Sequence, residues 1–203
     1  GLAPTSRIYN NNPDGSLSNE MQPGTYLGFG NPLYYRDKFP SKNLEQRLTA
    51  SLQFDYDFLN DFKLTVRGSH FTINNSNESF EKAYMNSGKM NTNRTSSASH
   101  RRTTRDQITA LLNYKKKIEK HNLSVLAGSE YFNEKRFSFS AATRYSPTDL
   151  INTMNVGAEA SGVPYSYRTE YAIASLFSQA NYDFDNKYLA GLTFRYDGTS
   201  RLS

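Results

Sequence analysis

Between Leu44 and Phe58 the chain reads LEQRLTASLQFDYDF. Leu44, Leu48, Ala50, Leu52, Phe54, Tyr56 and Phe58 are apolar or aromatic, and every residue between them is polar. A strand turns successive side chains to opposite faces, so period two means one apolar face and one wet face. The run outlasts an ordinary strand of about five or six residues. It suits a strand that crosses a bilayer, which needs about nine to eleven tilted residues.

The same pattern returns along the chain and predicts strands near 44–58, 62–74, 104–115, 121–143, 168–184 and 188–200. In the second, Phe62, Leu64 and Val66 alternate with Lys63, Thr65 and Arg67; in the third, Ile108, Ala110, Leu112 and Tyr114 alternate with Gln107, Thr109 and Asn113. Leu123, Val125, Ala127 and Tyr131 mark the fourth, Ala174, Leu176, Ala180 and Tyr182 the fifth, and Tyr188, Ala190, Leu192, Phe194 and Tyr196 the sixth. The connections Leu59–Asp61, Lys116–Lys120 and Asp185–Lys187 are short and rich in turn residues. Asn75–Thr103 and Arg144–Tyr167 are long and rich in Ser, Thr, Asn and Gly. Short turns alternating with long loops are the pattern of a barrel with short periplasmic and long extracellular connections. The expected fold is therefore all-β: antiparallel up-and-down strands forming part of a large transmembrane β-barrel. Residues 1–43 are expected as an extracellular loop segment and 44–203 as a partial wall. About eight strands are the practical minimum for closure, so the wall is expected to continue outside this stretch. A signal peptide is likewise expected outside it, since Gly1 opens no charged and apolar leader.

Aromatics gather at the short-turn ends: Tyr56, Phe58 and Phe62 at the first, Tyr114 at the second, Tyr182, Phe184 and Tyr188 at the third. Rings with polar tips suit a membrane–water interface, so these are expected as the periplasmic girdle. The chain holds 15 Tyr and 13 Phe in a polar background of mean hydropathy −0.73. No run approaches the roughly 18 apolar residues of a membrane helix. There is no cysteine, hence no disulfide and no thiolate metal site. The net charge is +5, but Lys115–Lys117 and Arg94–Arg105 are not one helical stripe, and no nucleic-acid partner is expected.

No catalytic, cofactor or metal constellation is expected. His70, His100 and His121 lack ligand spacing, and NNNPDGSLSNE at Asn10–Glu20 departs from a calcium loop at its first and twelfth positions, Asn10 and Met21. Lys115–Lys117 and Lys120 are expected to keep a turn wet. Arg101, Arg102 and Arg105, at the base of a long loop, either sit in water or pair with phosphates of lipopolysaccharide.

The last hairpin, YAIASLFSQANYDFDNKYLAGLTFRYDGTSRL from Tyr171 to Leu202, resembles the SusC/RagA family of TonB-dependent outer-membrane transporters of Bacteroidota. Ser175, Phe177, Tyr182, Phe184, Asn186, Lys187, Tyr188 and Leu189 match one half of its pattern. Arg195, Asp197, Gly198, Thr199, Ser200 and Arg201 match the other. Asn31–Tyr35 (NPLYY), Asn60–Leu64 (NDFKL) and Asn113–Tyr131 are similar to further family stretches in the same order. Family members are several times longer and carry a plug and a TonB-contact segment, neither visible here. The resemblance implies energised import of a glycan or oligopeptide across the outer membrane of a Gram-negative bacterium. It also implies a SusD-like surface lipoprotein, TonB acting through a segment elsewhere, and contact with outer-membrane lipid. Tyr26, Phe29, Tyr34, Tyr35, Tyr145, Tyr165 and Tyr167 are candidates to stack on a sugar or clasp a peptide, and Arg195, expected to point inward, is a further candidate for the substrate path. Two alternatives stay open: a barrel with a structural or passive-pore role, and a soluble glycan-binding β-sandwich. The sandwich predicts that Leu52, Phe54, Leu112 and Leu176 lie buried under a second sheet.

Overall fold

The computed structural model describes residues 8–22, 31–86 and 89–201. Its elements are β1 (Tyr9–Asn11), β2 (Leu17–Met21), α1 (Pro32–Lys38), β3 (Ser41–Phe58), β4 (Phe62–Phe80), β5 (Tyr84–Asn86) and β6 (Lys89–Asn91). They continue with β7 (Ser96–Ile118), β8 (His121–Arg144), β9 (Glu159–Ala160), β10 (Tyr165–Phe184) and β11 (Tyr188–Thr199). The long strands form one sheet in the order β3-β4-β7-β8-β10-β11, with the short β9 paired to β8. Each long strand thus lies beside its sequence neighbour, as an up-and-down wall requires. Among the described residues no helix is long and apolar enough to cross a membrane.

The strands run past their predicted ends. β4 continues to Phe80 rather than Asn74, and β7 begins at Ser96 rather than Thr104. There, Phe80 and Ala98 apart, the side chains on both faces are polar, so the alternation fades while the strand pairing continues. The segment expected as a plain loop holds the β1–β2 hairpin and α1. Asn31 caps the helix by accepting the Leu33 N–H, Pro32 occupies its first turn, and Pro40 follows its end. Asn10–Met21, the calcium-like stretch, is that hairpin; Gly15 turns it at φ +85° and Asp14 accepts the Ser16 N–H at 2.9 Å.

The short turns use left-handed backbone. Leu59 and Asn60 have φ of 51° and 54°, and Asp185 and Asn186 of 53° and 56°. Two successive positive φ values give the tight hairpins whose twist matches the flanking strands.

Contacts divide the chain into two compact units. The loop unit gathers Gly1–Leu44, Asn75–Arg101 and Ser138–Ser166; the wall unit gathers Glu45–Asn74, Arg102–Phe137 and Tyr167–Ser203. Among the described residues of the loop unit, Tyr34 and Phe80 are the buried apolar ones. The wall unit is different. Leu52, Phe54, Leu112 and Leu176 are 84%, 61%, 38% and 59% exposed, and no second sheet of the described residues covers them. The sandwich expectation is thereby corrected: these residues lie on an exposed apolar face of a single open sheet, as in part of a barrel wall.

Candidate functional site

Side-chain contacts fix which residues of the wall unit share a face. On the outward, apolar face, Phe62 packs on Tyr114 with ring centres 4.6 Å apart, and Phe58 on Phe62 at 5.4 Å. Tyr56 and Phe54 extend the same stack along β3 at 5.6 and 6.3 Å. A second group joins β8, β10 and β11. His121 shares a hydrogen with the Tyr182 hydroxyl at 2.6 Å and packs on Phe184 at 4.8 Å, and Phe184 stacks on Tyr188. The proposed girdle residues therefore fall into two ring clusters. His121 and Phe54 belong to them although the aromatic count at the turns passed both over.

The pairing of β10 with β11 sets Leu176 opposite Tyr196, Ala180 opposite Leu192 and Tyr182 opposite Ala190. These pairs make a continuous apolar zone, broken by small Ser129 and Ser178. On β8 it runs from Leu123 to Tyr131. That is about 27 Å at roughly 3.4 Å per residue, or about 21 Å when tilted by roughly 40°, close to the apolar band of about 25 Å in outer-membrane barrels.

The opposite face is polar and cross-linked. Arg67 donates twice to Gln53 Oε1, at 3.0 and 2.6 Å, and Thr65 donates to Asp55 at 2.5 Å. Gln107 donates to Glu130 at 2.8 Å. Glu134, with a side chain only 3% exposed, lies between Arg105 at 2.5 Å and Arg136 at 2.7 Å. A buried carboxylate is tolerable only when paired, and two guanidinium groups supply that. Apolar groups also point this way. Arg195 lies over Phe177 at 5.6 Å, Arg105 over Phe71 at 5.4 Å and Arg201 over Tyr171 at 3.7 Å. Gly128 makes room for the Phe177 ring: a Cβ there would collide with it and sit 2.8 Å from Leu111 Cδ2.

The turn ends are tied to their neighbours. Lys115 N–H donates to the Asp61 carbonyl at 2.9 Å and Asp185 N–H to that of Lys120 at 2.8 Å. Lys116 pairs with Asp61, and Lys120 with Asp185 at 3.3 Å. A groove of about 710 Å³ opens beside Lys115, Lys117, Asn122 and Asp183.

In the loop unit the connections hold one another. Asn31, fully buried, donates to the Ile8 and Gln22 carbonyls at 3.1 and 2.8 Å. Asp149 accepts the Ala83 N–H at 2.9 Å and Arg94 Nε–H at 2.8 Å. Burial pushes the Asp149 carboxyl upward, but those two donors outweigh it and hold its pKa below the ordinary 3.8. A depressed carboxyl stabilises fully above its unfolded value, and the contribution is lost as pH falls through the folded one. The expected result is modest because the side chain is 34% exposed. Pepsin should cut within 81–95 or 145–153 more readily as pH drops from 4 to 2, and Asp149→Asn should flatten that dependence.

The candidate ligand-stacking aromatics are dispersed. Tyr26 and Phe29 lie outside the described residues. Tyr34 is buried, and its hydroxyl accepts the Met85 N–H at 2.8 Å. Tyr35 packs between Tyr34 and Phe39. Tyr145, at φ +65°, lies under the Arg144 guanidinium at 5.0 Å, and Tyr165 is exposed. All four belong to the loop unit, whereas Tyr167, also exposed, and Arg195 belong to the wall unit. Arg195 is engaged: its Nε–H donates to both Asp197 oxygens at 2.9 Å, and its NH2 group to Ser175 Oγ at 3.1 Å.

A family model described as TonB dependent receptor-like, beta-barrel matches residues 2–203. The chain is 32% identical over 105 residues to TonB-dependent receptor P3 of Formosa agariphila, covering 51% of this chain and 10% of that protein. The solved structure of the RagAB peptide transporter matches with a TM-score of 0.79 at 20% identity, covering 94% of this chain and 22% of that one. The RagAB peptide importer in its closed-closed state matches with the same TM-score at 21% identity, over 93% of this chain and 21% of that one. The chain thus spans about a tenth of the curated relative and about a fifth of these structures.

Proposed function

Because the chain belongs to the TonB-dependent receptor-like β-barrel family, we propose that it supplies barrel wall and surface loops to an outer-membrane importer of glycans or oligopeptides. In this reading the importer works with a SusD-like lipoprotein and draws energy through TonB. The observation that carries it is the wall unit's asymmetry. One face is exposed and apolar over a bilayer-like height; the other is polar, ion-paired and set with aromatic rings. Lipid would cover the first and the barrel interior would use the second. The loop unit would form part of the outer vestibule, its connections held in place by Asn31 and Asp149. A preformed shape for such loops favours capture of one substrate class over free diffusion, since ordering them at the moment of binding would cost affinity.

The test uses the full-length protein in its own cells. Labelled oligopeptides and oligosaccharides are offered to cells with and without it, with and without a protonophore. Accumulation of one class that needs both the protein and the proton gradient is the expected result. Protein-dependent uptake that ignores the protonophore would make it a passive pore, and uptake of neither class would overturn import.

A further inference from the structure

The apolar zone of the wall unit ends at the same level on adjacent strands. On β4, Val66 and Gly68 give way to His70, Thr72 and Asn74; on β7, Ile108 gives way to Asp106, Thr104 and Arg102. On β8, Tyr131 gives way to Asn133 and Lys135; on β10, Ala174 is followed at this height by Glu170 and Arg168. Contacts show that these groups stand together on the outward face. His70 meets Asp106 at 2.7 Å, Thr72 meets Thr104 at 3.2 Å, Arg102 donates to Asn74 at 3.0 Å, and Lys135 pairs with Glu170 at 2.9 Å.

The charges in this border are not balanced. Asp106 is taken by His70, and Glu170 by Lys135 and Asn133 at 3.2 Å. Arg102 is positioned by a neutral amide, and Arg168 by the Phe137 ring at 5.0 Å. Both arginines are exposed and carry charge that these partners do not neutralise. They stand on β7 and β10, two strand spacings apart across β8, or about 10 Å. We propose that this border docks the phosphates of the outer leaflet's glycolipid, with Arg102 and Arg168 as bidentate phosphate ligands and Lys135, on the strand between them and paired to Glu170, as a further N–H donor. Guanidinium matches phosphate through paired N–H donors, and stems lying along an apolar surface keep the heads at headgroup level. Of the arginines at the loop base, Arg105 is excluded from this role, since it turns inward to Glu134.

The inference rests on the outer-membrane reading above, and the experiment separates the two. Full-length protein, wild type and R102E/K135E/R168E, is extracted from outer membranes. Each is mixed in detergent with lipopolysaccharide of defined phosphate content, and native mass spectrometry counts lipid retained per barrel. The triple variant is expected to retain at least fivefold less. Phosphatase-treated lipopolysaccharide should bind wild type no better than intact lipid binds the variant. Equal retention by variant and wild type, or by treated and intact lipid, overturns the proposal. Should the triple variant fail to assemble, the phosphatase comparison on wild type decides alone. Wild-type protein absent from the outer-membrane fraction would sink the underlying reading instead.

Discussion

Replacing Leu52 with Arg should strip most of the assembled full-length barrel from the membrane fraction, while Ser51→Arg should leave it nearly unchanged. Leu52 is 84% exposed near the middle of the β3 apolar run, and Ser51 occupies the opposite face. A cation held near the bilayer midplane of a barrel costs about 2–4 kcal/mol, a large share of the roughly 5–15 kcal/mol that holds an ordinary fold together. On the other face the same side chain enters a surface already lined with Gln53, Arg67 and Asp55 and meets polar groups or water. Heat-modifiability on gels reports assembly directly. Equal tolerance at both positions would mean that the faces are assigned the wrong way round or that lipid covers neither.

Gly128→Val should lower the unfolding temperature of the detergent-solubilised protein, by the equivalent of about 1–3 kcal/mol of overpacking. Strand propensity alone points the other way, since Val favours strands and Gly weakens them. The sign therefore tests packing against propensity. A side chain at Gly128 collides with the Phe177 ring. That ring cannot move without leaving the Arg195 guanidinium, which Asp197 and Ser175 fix in place. Phe177→Ala in the same chain should restore much of the loss by removing the obstacle. A Gly128→Val protein as stable as wild type would show that Phe177 is free to swing aside.

The apolar face of this wall is readable because the barrel fold of its family makes a simple demand: apolar side chains at alternate positions over a fixed height. Leu112 and Leu176 satisfy it, and their strands were placed on that ground. The demand stops at the band's edge, which is why the extensions of β4 to Phe80 and β7 back to Ser96 left no trace in the alternation. α1 lies in a segment expected as loop: Asn31 before Pro32 is a capping signal, but a seven-residue helix has too few turns for periodicity to reveal. The inward face was legible as polar and no further. Phe71, Leu111, Phe132 and Phe177 break the alternation there, and what accommodates Phe177 is the absence of a side chain at Gly128, a feature of packing between strands distant in sequence. His121 shows in the sequence only as a histidine without ligand spacing; in the fold it shares the apolar face with Leu123 and packs on the rings of Tyr182 and Phe184.

The order β3-β4-β7-β8-β10-β11 carries a consequence for how such proteins diversify. Each hairpin is closed by its own tight turn and pairs with the next strand to strand, β4 with β7 and β8 with β10, while bonds such as Lys115 to Asp61 and Asp185 to Lys120 add to that pairing at the turn ends. A whole hairpin could be duplicated or deleted without shifting the phase of any other strand, because inserting an even number of strands preserves which residues face lipid. The circumference of the wall is then an evolvable quantity that changes in steps of one hairpin, while the chemistry of each face is inherited intact.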